Sequence, residues 1–506
     1  MALNGLGRYA DAIFVLRQLV SREPEDQAAQ HALAECQMLQ EQAFMGKYDM
    51  PALLFGRLAT SFRRCADYVG PISVAYLGEG AGRGVVTTKA VKAGELLCVS
   101  SPLAAAPLAT GAEMALVQGL MGAASRNPQD LALALALPSD PEGKETTAPD
   151  MMAFRRHLSK GDQDLPELPS QEVFARHAAN VVKTSAIRSA NSVGVYPLPS
   201  FINHSCAPNA CKLLVGHTMF IHAARDLAKG EEIRVKYFDV TMPAPERQAV
   251  AKRWGFHCAC PRCAMESVGE EEAAKATKRA ETAAKKAREA AAANPANKKA
   301  GGDRDGSKAA AKAAAKEMEG EEIVSVAMLI ASLRAKAKAL HDDISSALER
   351  WKRTKGKSGA PDPNQLVELA TWFEAKCDAL GLDATRAAWA RSSVLQVYSN
   401  INHCLSAAGQ LEARAEILRK TAATLAATDP ASFDHCKQLT VRLTNARRLG
   451  GATKTAAVAE AEAAAATTMA IRYGCGVGEG EEEIARELIE HAELSAEEGR
   501  REFCEA

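Results

Sequence analysis

The chain of 506 residues is predicted to be an α+β protein, on three observations. Residues 70–100 and 193–240 carry strand signals, with β-branched residues, turn glycines and period-two alternation. Residues 103–180 read as a helical insertion between those two blocks. Residues 1–45 and 321–495 read as helical flanks of a small β-fold.

At the N-terminus, Gly7, Tyr9, Ala12 and Pro24 fall at the spacing of the second half of a tetratricopeptide repeat. Leu33 and Ala34 then stand where a following repeat would start. The match covers about one repeat with its leading helix nearly absent, so Met1 is expected to lie inside a repeat. An unrelated amphipathic helical pair is the alternative. Gly94-Glu95-Leu96-Leu97-Cys98-Val99 reads as a turn entering a strand. The insertion at 103–180 has Pro-rich breaks near 138–149 and 165–169. Cys211–Val215 and Met219–Ala224 flank Gly216-His217 as a hairpin would. Ile233, Val235 and Tyr237 alternate with polar residues, as on a half-buried strand.

Residues 266–320 are rich in Ala, Lys, Glu and Arg and lack aromatics. They show no apolar face and are expected to form a solvated, partly helical linker. Beyond it, 325–353, 364–380, 384–408, 410–427 and 432–448 are expected helices, paired as in a tetratricopeptide-like solenoid. The residues from about 496 are expected to fray. The expected domains are thus 1–50 (helical), 70–240 (the β-fold with its insertion), 241–265 (a Cys-rich motif), 266–320 (linker) and 321–495 (helical).

Composition narrows the function classes. Lys+Arg and Asp+Glu are 62 each, so net charge is zero. That removes a global electrostatic case for nucleic acid or membrane binding, and nucleic acid is not expected as a direct ligand. No apolar run approaches the ~18 residues of a membrane span, and no basic-then-apolar secretory signal is visible. The 13 Cys are odd in number and scattered, which points to a reducing compartment, cytoplasmic or nuclear, rather than a disulfide framework.

Three motifs carry chemistry. Gly82-Arg83-Gly84 allows close backbone approach to a ligand, although a bland turn would use the same residues. Ser200-Phe201-Ile202-Asn203-His204-Ser205-Cys206-Ala207-Pro208-Asn209 offers an Asn-His pair beside a thiol. Cys258-Ala259-Cys260-Pro261-Arg262-Cys263 places three thiols in six residues, which suits Zn²⁺ and its four tetrahedral ligands. The fourth ligand must come from elsewhere. His257 is adjacent, but neighbouring residues rarely point at one ion.

Taken in order, these motifs resemble the SET-domain methyltransferases with a post-SET zinc motif. Lys229-Gly230-Glu231-Glu232-Ile233 leading to Tyr237 adds a fourth match between the second and third. The pattern is similar to the SMYD-type branch over residues 70–102 and 184–265. The resemblance implies a protein-lysine methyltransferase (EC 2.1.1 class) that uses S-adenosylmethionine. It implies cofactor binding at Gly82, Arg83, Gly84, Ser200, Asn203 and His204, with Phe256 stacked on adenine. Tyr237 would lie beside the transferred methyl group, and Trp254 would line the lysine channel. The structural Zn²⁺ would be held by Cys206, Cys258, Cys260 and Cys263; four thiolates leave no open position, which argues against a zinc hydrolase. Implied partners are a protein substrate presenting a lysine, histone or non-histone, and further proteins on the helical repeats.

Two departures stand out. No Cys lies between Cys98 and Cys206, so the MYND finger usual in SMYD-type proteins is not expected. Where relatives carry Asn-Ala-Phe, this chain has Ser185-Ala186-Ile187, which weakens one cofactor contact. The competing expectation is therefore a catalytically weak SET and helical-repeat scaffold.

Overall fold

The computed structural model describes residues 7–55, 65–140, 145–158, 169–188, 192–293, 312–313, 316–317, 322–354, 362–451 and 453–474. Most of the predicted linker beyond 293, and everything from 475 onward including the tail expected to fray, lies outside the described residues. The described chain is α+β, with small sheets and many helices. Its contacts divide it into two units. The first holds residues up to His204, Pro208–Val235 and the segment from Met469; the second holds Ser205–Ala207 and Lys236–Thr468.

In the first unit, helices α1 (Tyr9–Arg22) and α2 (Gln27–Met45) pack through Ala12, Ile13 and Cys36, with Leu16 and Leu33 against them. The Asp26 carboxylate caps α2 by accepting from the Ala29 N–H, and Gly46, at φ +66°, closes its C-terminus. A third, short helix, α3 (Met50–Phe55), follows.

Three small sheets make the β-fold. In the first, β1 (Tyr68–Val69), β4 (Leu96–Ser100), β10 (Thr218–Ala223) and β9 (Ala210–Val215) lie in that order. In the second, β2 (Ile72–Tyr76), β3 (Arg83–Thr87), β11 (Glu232–Val235) and β8 (Asn203–His204) do so. The third orders β5 (Ala104–Pro107), β7 (Ser192–Val195) and β6 (Ala186–Arg188). The β9–β10 hairpin turns at Gly216-His217, where Gly216 supplies the positive φ of +59° that a two-residue turn requires. Along β11, Ile233 and Val235 are buried and alternate with half-exposed Glu232 and Arg234.

The insertion differs from the all-helical expectation at its start. Ala104–Pro107 is a strand, paired antiparallel with β7, before α4 (Ala112–Arg126), α5 (Pro128–Ala136) and, later, α6 (Gln171–Ser185). Alanine-rich sequence favours helix locally, and here the ladder to Val193 and Val195 overrides it.

The second unit is helical: α7 (Ala244–Arg253), α8 (Pro261–Ser267), α9 (Glu270–Ala293), α10 (Val326–Arg353), α11 (Asn364–Ala379), α12 (Ala384–Ser392), α13 (Leu395–Ala407), α14 (Leu411–Thr428) and α15 (Phe433–Arg448). Leu329, Leu333, Phe373, Tyr398 and Ile401 form its main core.

Two expectations need correcting here. The stretch read as a coreless linker contains α9, whose Ala273, Ala276 and Ala280 are buried; Ala276 and Ala280 pack on Ala331 and Ala335 of α10. Alanines at i, i+3 and i+7 share a helix face, and small side chains let two helices approach closely without bulky apolar residues. The single helix expected over 384–408 is two helices, broken at Ser393 and Val394. The break turns the buried Ser393 hydroxyl to Glu266 and Arg262.

Candidate functional site

The predicted residues fall into two groups, one in each unit. In the first unit, Gly82 takes φ +62° and precedes β3, so the turn Gly78–Gly82 closes tightly through the Gly82 N–H to Gly78 O bond of 3.0 Å. Asn203 reaches this turn. Its Nδ2 donates to the carbonyls of Ala81 and Arg83, both at 3.2 Å, and to Glu232 Oε1 at 2.9 Å. Glu232 Oε2 in turn accepts from Arg234 Nε at 2.7 Å. Gly84 is needed for this approach, because a Cβ there would stand 2.4 Å from Leu77 Cδ1 and 3.0 Å from Asn203 Nδ2. His204 follows Asn203 on β8, paired in parallel with Val235.

The Arg83 side chain goes elsewhere. It pairs with Glu145, bonds the Ala136 carbonyl at 3.3 Å and lies 5.0 Å from the Phe201 ring centroid. Only the Arg83 backbone belongs to the turn that Asn203 holds. The Ser200 hydroxyl donates to Tyr196 O at 2.6 Å, with Ser185 O at 3.3 Å. Ser185 is buried, and its own hydroxyl donates to Pro138 O at 3.1 Å. Sequence reading missed Glu232 and Glu145. Glu232 was visible in the Gly-Glu-Glu run, but its partner Asn203 is 29 residues away.

In the second unit, three aromatic residues meet. The Tyr237 and Trp254 rings are 5.7 Å apart at 31°, and Tyr237 and Phe256 are edge-to-face at 6.0 Å and 80°. Trp254 caps α7 and keeps 47% of its surface exposed. Phe256 packs on the cysteine cluster together with Phe238.

That cluster is the most specific feature. The sulfurs of Cys206, Cys258, Cys260 and Cys263 lie within 4.8 Å of one another, and all four residues are buried. Cys206 Sγ is 3.8 Å from Cys258 Sγ and 3.6 Å from Cys263 Sγ. Tetrahedral Zn²⁺ with Zn–S bonds of ~2.3 Å requires sulfurs about 3.8 Å apart, so the donor set fits the ion. His257 is not among these four. Local sequence explains the geometry. Pro261 occupies the first position of α8, and Cys260 caps that helix, its Sγ accepting from the Cys263 N–H. Gln248 clamps the Cys258 peptide from both sides, donating to its carbonyl at 2.7 Å and accepting from its N–H at 3.1 Å. Hydrogen bonding within the cluster separates the thiols. Cys206 is pushed up by its bonds to Cys258, Cys260 and Cys263, whereas Cys260 is drawn down, first by its bond with Cys206.

Charge beside the sulfurs supports the same assignment. Arg247 and Arg262 are fully buried, and Glu266 joins them. Its carboxylate accepts from Arg262 Nε at 2.8 Å, Arg247 Nη1 at 3.2 Å and the Ser393 hydroxyl at 2.9 Å. Arg247 also donates to Cys263 Sγ at 3.5 Å, and Arg262 to the carbonyls of Cys206 and Val240. Two guanidiniums against one carboxylate leave one positive charge, which suits a site of four thiolates around a divalent cation. Sequence reading found Arg262 only as a spacer within the Cys motif; Arg247 and Ser393 carry no local signal.

Residues 82–238 match the SET domain family. The chain is 32% identical over 118 residues to histone-lysine N-methyltransferase SMYD3 of Mus musculus, covering 22% of this chain and 28% of that protein. It is 38% identical over 96 residues to histone-lysine N-methyltransferase ASHR2 of Arabidopsis thaliana, covering 17% and 24%. It is 42% identical over 74 residues to the potential protein lysine methyltransferase SET6 of Saccharomyces cerevisiae, covering 14% and 20%. The matched region thus spans about a fifth to just over a quarter of the length of these relatives. The chain carries a SET domain with SMYD-type relatives, a helical C-terminal region and a four-cysteine cluster able to hold a metal ion. No helix among the described residues is long and apolar enough to cross a membrane.

Proposed function

We propose that this protein is an S-adenosylmethionine-dependent protein-lysine N-methyltransferase with one structural Zn²⁺ on Cys206, Cys258, Cys260 and Cys263. The observation that carries the reading is Asn203, placed inside the SET match with its amide holding the carbonyls of Ala81 and Arg83. That bond joins the two cofactor-binding motifs into one preformed wall, the backbone of Gly82, Arg83 and Gly84 beside Asn203 and His204. The cofactor supplies an electrophilic methyl on a sulfonium.

This chain's own task is to present a neutral lysine amine to that methyl. Free lysine has a pKa of ~10.4, so the neutral form near pH 7.4 lies roughly 4 kcal/mol uphill. An apolar channel lowers that gap by disfavouring the ammonium, and alignment of the two reacting groups contributes most of the rate. Tyr237 is assigned to orient the amine through its hydroxyl, with Trp254 as channel wall and Phe256 against the adenine. Ser200, hydrogen-bonded to the Tyr196 carbonyl, keeps its oxygen lone pairs for a cofactor contact. The zinc ligands hold the segment from Phe256 to Cys263. Substrates are lysine-bearing proteins, histone or non-histone, in the nucleus or cytoplasm, and the helical repeats offer surfaces for protein partners.

One observation favours the scaffold alternative. Ser185 stands where relatives carry a cofactor-contacting Asn, and its hydroxyl is already bound to Pro138. Calorimetric titration with S-adenosylmethionine, then transfer of labelled methyl into lysate proteins by wild type and Tyr237→Phe, separates the two. Cofactor binding with labelling at least tenfold weaker in the variant is expected. Absence of cofactor binding removes the enzyme reading, and equal labelling removes Tyr237 from it.

A further inference from the structure

The helices of the second unit reach the residue next to Tyr237. Lys236 follows directly on the last residue of β11, and its ammonium pairs with the carboxylate of Asp429 at the C-terminal cap of α14. The Asp429 side chain is 7% exposed and that of Lys236 32%, so the contact is largely out of water. Burial raises the Asp429 carboxyl, with Lys236 and Ser432 pulling the other way.

The loop that presents Asp429 is built to stay put. Ala431 takes φ +53°, alone in that region among the described non-glycine residues. An alanine stays there only when its surroundings over-determine it. Those surroundings are present: the Ala431 N–H donates to His435 Nδ1 at 3.2 Å, and the Ser432 hydroxyl accepts from the His435 N–H at 3.1 Å as the cap of α15. Trp389 Nε1 ties the preceding turn through Ala427 O at 3.0 Å. The turn is thus held by hydrogen bonds on both sides of Ala431, and from it the Asp429 carboxylate reaches out to Lys236.

We propose that Asp429 is a positioning residue: through Lys236, the α14–α15 turn fixes the backbone that carries Tyr237 and so the pose of its ring against Trp254 and Phe256. The helical repeats then set the geometry of the transfer site as well as offering surfaces to partners. The proposal rests on the reading of Tyr237 given above, and the test has one arm that does not.

In full-length protein, amide hydrogen exchange over residues 236–240 is compared for wild type, Asp429→Asn, Lys236→Met and the double variant. Methyl-transfer kinetics are measured alongside. Each single variant is expected to raise exchange in that peptide at least fivefold and to lower kcat about tenfold. KM for the cofactor and zinc content should hold, and the double variant should be no worse than either single one. Asp429→Glu, which keeps the charge, should recover most of kcat. Unchanged exchange in folded Asp429→Asn, or losses that multiply in the double variant, overturns the anchor. If Asp429→Asn fails to fold, Lys236→Met, altered at the more exposed partner, decides the same question. A wild type without turnover removes the methyltransferase reading, while the exchange arm still decides whether Asp429 holds this segment.

Discussion

Glu266→Gln isolates the charge arrangement beside the cysteines. Glu266 is 2% exposed, and Arg247 and Arg262 are 0% exposed, so none of the three can fall back on water. The substitution keeps the shape and one acceptor oxygen but removes the carboxylate that faces both guanidiniums. Breaking a buried ion pair by neutralising one partner costs about 3–5 kcal/mol, because the other charge stays buried. For a unit of this size that corresponds to a melting point lower by roughly 2–4 °C per kcal/mol.

The Zn²⁺ proposed for the four cysteines makes the prediction sharper. Four thiolates around a divalent ion carry two negative charges, which attract the orphaned arginines; four neutral thiols do not. The penalty of Glu266→Gln should therefore be larger after chelation than in zinc-loaded protein, by about 1 kcal/mol or more. Urea unfolding followed by circular dichroism, with wild type and variant each measured with zinc and with chelator, gives all four values. Equal penalties in both conditions, or a penalty below about 1 kcal/mol, would refute the claim that this trio and the metal site share one charge balance.

Two further outcomes are expected. Gly84→Ala forces Leu77, Asn203 and Glu232 to shift, since the new Cβ meets them at 2.4, 3.0 and 3.2 Å. It should cost about 1–3 kcal/mol and weaken cofactor binding about tenfold, and a calorimetric affinity equal to wild type would contradict the role given to the Asn203 contact. Burial holds His435 down to about 4, and burial with Arg472 nearby holds His222 to about 3. Both are neutral when folded, while the unfolded chain takes up protons near pH ~6.5. Their stabilisation is thus complete above about pH 6.5 and is lost as pH falls through the window down to those values, up to roughly 3 kcal/mol for His435. A denaturation midpoint unchanged between pH 7.5 and 5 would count against it.

Much of the local structure of the candidate site was legible because its signals are local. A cluster of three thiols in six residues, a glycine turn and a two-residue hairpin all act over short stretches of chain, so spacing alone reveals them. The full set of buried partners around Glu266 was not legible, since Arg247 and Ser393 are 146 positions apart and neither stands out from its neighbours. The buried face of α9 was missed for another reason. Alanine belongs equally to a solvated helix and to a tight helix contact, and only the presence of Ala331 and Ala335 opposite decides between them.

The same division runs through the SET-like pattern itself. Composition, periodicity and motif order were enough to read an α+β chain carrying that pattern, because hydrophobic period and turn chemistry are properties of short segments. They also placed three thiols in one ligand set. Which way each side chain faces came from packing: Arg83 turned to Glu145, Ser185 committed to Pro138, and Asn203 drawn onto the glycine turn. These directions depend on partners far along the chain, and burial makes each one costly to leave unpaired.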